Sequence, residues 1–70
     1  MDKTAMRATM VKHGDTYERL AEALDLPVSA LSHRINGQIE FRASEICKVV
    51  RRYQLSPQET MDIFFEEVAS

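Results

Sequence analysis

Seventy residues with one cysteine leave room for a single domain over residues 1–70 and for no internal disulfide, so a modest hydrophobic core has to hold the fold. A chain 44% hydrophobic and 29% charged is not a disordered polar tail, and with no bilayer-length apolar run, no signal-peptide pattern and a lone thiol it fits the cytoplasm. The net charge of -2 opposes nucleic-acid binding, but all nine Lys and Arg fall in residues 1–54 beside seven acids, whereas residues 55–70 carry four acids and no base.

Strand-like alternation is almost absent and Gly and Pro number two each, so the pattern predicts an all-α fold. The first helix is expected from Lys3 to His13, with Met6 and Met10 sharing a core face, Val11 beside them and Gly14 as its left-handed cap. Asp15 is expected to open the second helix, with Glu18 completing a capping box. Tyr17, Leu20, Ala21 and Leu24 follow at helical spacing.

Pro27 blocks continuation of that helix and tolerates the first turn of the next, predicted over Val28–Ile35 with Leu31 and Ile35 buried. Asn36-Gly37 closes it, because both residue types accept positive φ. Ile39 and Phe41 are expected to plug the core from the following loop. A fourth helix over Ala43–Tyr53 carries the apolar stripe Ile46, Val49, Val50 and Tyr53, with Cys47 as a small, partly buried residue. Arg51 and Arg52 read as a solvated helix end facing the dipole rather than as a phosphate-binding pair. Ser56-Pro57-Gln58-Glu59 starts a fifth helix. Its stripe Met61, Phe64, Phe65 and Val68 reads as core or, in part, as a seam between copies, with Ile63 off centre.

His13, His33 and Cys47 have neither the spacing of metal ligands nor that of a nucleophilic site, so no enzyme and no cofactor is expected. The informative stretch is Thr16 to Gly37, which reads helix, short turn, helix. Ala21 falls where two helices cross closely, and the second helix presents Ser29, Ser32 and His33 outward, with Val28 and Arg34 at its margins. A helix of this kind can enter the major groove of DNA.

The segment Thr16-Tyr17-Glu18-Arg19-Leu20-Ala21-Glu22-Ala23-Leu24, with Leu26-Pro27-Val28-Ser29-Ala30-Leu31-Ser32-His33-Arg34-Ile35-Asn36-Gly37, resembles the helix-turn-helix of the phage repressor/Cro family. Met6–Gly14 and Phe41–Phe65 resemble the helices that flank it. The resemblance implies a compact five-helix repressor-like domain acting as a transcriptional regulator on a double-stranded operator. It places Val28, Ser29, Ser32 and His33 toward bases, and Tyr17, Arg34, Asn36, Gln38 and Arg42 toward phosphates. The family often carries glutamine where this chain has Tyr17, and no glutamine occupies the recognition helix, so either modest specificity or help from DNA shape is expected. It also implies dimers on a two-fold site, with a second copy or a repressor partner meeting the C-terminal helix. An alternative of another class is a protein-interaction module that modulates a repressor without touching DNA; the acidic balance motivates it.

Overall fold

Asp2 begins the first turn: its carboxylate accepts from the Ala5 amide at 3.0 Å and caps α1, Lys3–Lys12. The computed structural model describes residues 1–65, and among them five helices and no strand. Val68 of the expected C-terminal stripe, and Glu66 and Glu67 of the acidic end, lie outside the described residues. Helix α1 stops one residue short of His13, and Gly14 takes the left-handed conformation at φ +64°. Met6 and Met10 are buried as expected, but Val11, one step of about 100° round the helix from Met10, is 78% exposed.

Helix α2 spans Tyr17–Ala23, and its cap is Thr16 rather than Asp15. The Thr16 hydroxyl accepts from the Arg19 amide at 3.1 Å. Asp15 is withdrawn from capping because stronger donors claim it. Arg52 donates from Nε at 2.7 Å and Nη2 at 2.9 Å, the Tyr53 hydroxyl donates as well, and the Thr16 amide lies at 2.9 Å. Arg51 and Arg52 both stand exposed in the last turn of α4, and Arg52 is in addition tied back across the fold to Asp15. His13 stacks on Tyr53 with ring centroids 4.8 Å apart.

The turn out of α2 runs through Asp25 at φ +60°, and the Leu26 amide returns to the Ala21 carbonyl at 2.9 Å. Pro27 then caps α3, Val28–Ile35, within the expected bounds. Leu31 and Ile35 are buried against α2, whose Ala21 is buried at the crossing. Only Gly37 uses a positive φ at the close of α3, at +83°; Asn36 stays right-handed.

Helix α4 covers Ala43–Tyr53, and α5 covers Pro57–Phe64. The reciprocal cap at α5 forms as read, with the Ser56 hydroxyl accepting from the Glu59 amide at 3.1 Å and Glu59 accepting from the Ser56 amide at 2.8 Å. Both buried faces are turned relative to the apolar pattern. In α4 the buried residues are Glu45, Val49 and Tyr53; Ile46 and Val50 are half-buried, and Cys47 is exposed. In α5 Ile63 and Phe64 are buried, whereas Met61 and Phe65 are 52% and 53% exposed. The turn in α5 follows from its docking on α1, where the Asp2 amide donates to the Ile63 carbonyl at 2.8 Å. Phe41 packs edge-on to Phe64 at 5.3 Å, as a core plug should, but Ile39 is exposed.

Candidate nucleic-acid interface

Positions 28, 29, 32 and 33 fall within about 140° of arc on a helix of 3.6 residues per turn. Val28, Ser29 and His33 are exposed and Ser32 is half-buried. Leu31, Arg34 and Ile35 occupy the opposite arc and are buried. Helix α3 thus splits into an anchored side and a presented side. Among the described residues neither the Ser29 nor the His33 side chain hydrogen-bonds to protein, whereas the Ser32 hydroxyl accepts from Asn36 Nδ2 at 3.3 Å. Serine and histidine can each donate or accept, so the presented side offers both kinds of contact.

Arg34 departs from the expectation that it faces phosphate. It is 7% exposed, its Nε donates to Glu45 Oε1 at 2.8 Å, and its Nη1 donates to the Ala30 carbonyl at 3.2 Å. The same Glu45 oxygen accepts from the Arg42 amide at 2.9 Å. Arginine has no acceptor to return, so the start of α4 is capped from one side only. Burial pushes the Glu45 carboxyl up, but the Arg42 amide and the Arg34 guanidinium outweigh it and hold the group below the usual carboxylate range. One carboxylate therefore joins the end of α3 to the start of α4. The sequence carried a signal for this pair. Arg34 is three residues beyond Leu31 and Glu45 four before Val49, so each shares the face of a core residue.

The other residues expected to face phosphate lie at or just beyond helix ends. Asn36 and Gln38 are exposed just past the end of α3, and Arg42 is exposed at the start of α4. Tyr17, half-buried, opens α2, and its hydroxyl accepts from Arg7 Nε at 3.4 Å. Sequence reasoning did not connect Arg7 with Tyr17, because their nearness comes from the α1–α2 turn and leaves no mark in helical spacing.

Two residues before Tyr17, the Asp15 carboxyl is held well below its usual range, chiefly by the Arg52 guanidinium and against the opposing effect of burial. Burial first, and Asp15 second, push the Tyr53 phenol up. No group of three His, Cys, Asp or Glu side chains gathers at metal-binding distance among the described residues. No helix among them is long and apolar enough to cross a membrane.

No curated protein and no solved structure matches the chain. The family model described as helix-turn-helix matches residues 6–59, which run from within α1 through α2, α3 and α4 to the start of α5 and contain the whole α2–α3 pair. On that match and this arrangement of helices, the chain belongs to the Cro- and repressor-type helix-turn-helix family of DNA-binding regulators.

Proposed function

We propose that the protein, as one domain over residues 1–70, is a sequence-specific transcriptional regulator that lays α3 in the major groove of its operator. The observation that carries this reading is the division of α3 into a buried side of Leu31, Arg34 and Ile35 and a presented side of Val28, Ser29, Ser32 and His33. The major groove is wide enough for an α-helix, and thymine methyls, purine N7 atoms and exocyclic amines lie at its floor. The Val28 methyls suit a thymine methyl, and Ser29, Ser32 and His33 suit donor and acceptor edges. Tyr17, Asn36, Gln38 and Arg42 contact phosphate on either side of α3 and fix its register. Arg34 is left out of this set, because its charge is spent on Glu45.

Two copies pair on a two-fold operator through the outer side of α5. Exposed Met61 and Phe65 support this, as does a groove of about 460 Å³ whose lining includes Ile46, Val50, Leu55 and Met61. Half-sites then lie about 34 Å apart. A role like that of Cro or a phage repressor follows from the family likeness. Selection of bound sequences from a random duplex pool tests the reading and reports site symmetry and spacing together. The expected outcome is an enriched palindromic site whose affinity falls log-linearly with salt. No binding to any duplex even at low salt, together with a tight complex with a repressor, would favour the protein-interaction alternative.

The reading face has its own test. The double substitution Ser32→Ala with His33→Ala should weaken operator binding by about 1–3 kcal/mol, at about 0.5–1.5 per lost hydrogen bond, with the melting temperature unchanged. Unaltered affinity would remove these two residues from the interface.

A further inference from the structure

Arg7 projects from α1 beside the start of α2, and it is the one basic side chain hydrogen-bonded to a residue placed on the phosphates. Its Nε donates to the Tyr17 hydroxyl at 3.4 Å, and no carboxylate lies within ion-pair distance of it among the described residues. A guanidinium has five N–H donors in a planar fork, and this contact uses one of them. The Nη edge, the one that matches two phosphate oxygens, stays open. The Tyr17 oxygen accepts from Arg7, so its own hydrogen remains available to donate. Two donors thus meet at one spot on the α1–α2 edge of the domain.

The surroundings favour an anion there. Arg7 and Tyr17 border a hollow of about 340 Å³ whose other walls are Met10, Val11, Asp15 and Thr16. Asp15 is the one acid in those walls, and its charge is matched by Arg52 at 2.7 Å. Val11, left 78% exposed on this edge, supplies an apolar surface of the kind that packs against a sugar. A backbone phosphate with its deoxyribose has this combination of charge and apolar area.

We infer that Arg7 and Tyr17 together clamp one phosphate of the DNA backbone, with Arg7 supplying the charge and Tyr17 fixing the guanidinium. The inference rests on the DNA-binding reading above and deepens it. It assigns a phosphate contact to α1, outside the helix-turn-helix itself. The contact positions the domain and reads no sequence, so its loss weakens binding to every duplex alike.

The test is binding of the full chain to a random-sequence duplex over a salt series, for the wild type, Arg7→Gln, Arg7→Lys, Tyr17→Phe and Arg7→Gln with Tyr17→Phe. Removing one phosphate contact should lower the slope of log affinity against log salt by about 0.9. Arg7→Gln is expected to show that loss with an unchanged melting temperature, and Arg7→Lys to recover most of it. Tyr17→Phe should weaken binding in the wild type and have less effect in Arg7→Gln, because the two donors share one phosphate. A wild type that binds duplex while Arg7→Gln keeps the full slope overturns the clamp and leaves the DNA-binding reading standing. Additive effects of the two substitutions overturn the shared phosphate. A wild type that binds no duplex overturns the functional reading and the clamp together.

Discussion

Glu45 is the residue on which the placement of α3 turns. One of its oxygens receives both the Arg34 guanidinium and the Arg42 amide. Removing it strands a buried cation, so Glu45→Ala should cost about 3–5 kcal/mol in denaturant unfolding. Arg34→Met separates the structural role from a DNA role. It should lower stability yet leave the salt dependence of DNA binding unchanged, whereas a residue on phosphate would reduce it. The pair was within reach of sequence reading, because Arg34 and Glu45 each share a face with a core residue. The rule that charged residues stay outside hid it, and that rule fails when two opposite charges are buried together. Asp15 was less legible. Its spacing to Glu18 fits a capping box, and only the folded chain brings Arg52, 37 positions away, to its carboxylate.

At the scale of the elements, the boundaries were written locally and the faces were not. Pro27 and Gly37 bracket α3, and Ser56, Pro57 and Glu59 start α5, because caps and breakers act within a few residues. Which side of α4 and α5 is buried depends on what the helix packs against. Pattern alone set the α5 face as Met61, Phe64, Phe65 and Val68 with Ile63 off centre, whereas docking on α1 buries Ile63 together with Phe64 and leaves Met61 and Phe65 exposed. Two helix ends carry a cost that sequence editing can remove. Asp25 after α2 and Gln54 after α4 sit at φ +60° and +52°, in the left-handed region that favours glycine. Gln54→Gly should therefore raise the melting temperature, because relief of about 1–2 kcal/mol of left-handed strain exceeds the roughly 0.5–1 kcal/mol of extra chain entropy that glycine loses on folding. Asp25→Val, which adds a β-branched side chain at positive φ, should lower it by about 1–2 kcal/mol. In the interior of α3, Leu31→Ala should cost about 2–5 kcal/mol. A melting temperature equal to that of the wild type would contradict its burial.

Across the whole molecule, the Asp15–Arg52–Tyr53 cluster fastens the α1–α2 turn to the end of α4, and its titration sets the pH limits of the fold. The Asp15 and Glu45 carboxyls are both depressed, so the stability they lend is complete above their unfolded values and drains as pH falls through the folded ones. The unfolded values are about 3.9 and 4.3, so thermal melts should show the loss beginning below about pH 5. Asp15→Asn should be less stable at neutral pH and should show a shallower acid decline. Tyr53 works in the opposite direction. Its phenol is raised, so its contribution is present below the unfolded value of about 10 and is lost as pH climbs beyond it. Tyr53→Phe should flatten that alkaline limb. The charge distribution also belongs to this scale. Arg34 is neutralised by Glu45 inside the fold and Arg52 by Asp15 at the surface, while Arg42 and Arg7 remain exposed at the start of α4 and beside the start of α2.

The division of α3 has a consequence for how new specificities can arise. The anchoring side is fastened through Leu31, Arg34 and Ile35, while Val28, Ser29 and His33 have no side-chain hydrogen bond to the rest of the described chain, and Ser32 bonds only Asn36. The presented positions can therefore be rewritten as a block while the scaffold stays as it is. A library randomised at 28, 29, 32 and 33 should consist mostly of folded members, and selection among them on chosen operators would act on recognition with little interference from folding.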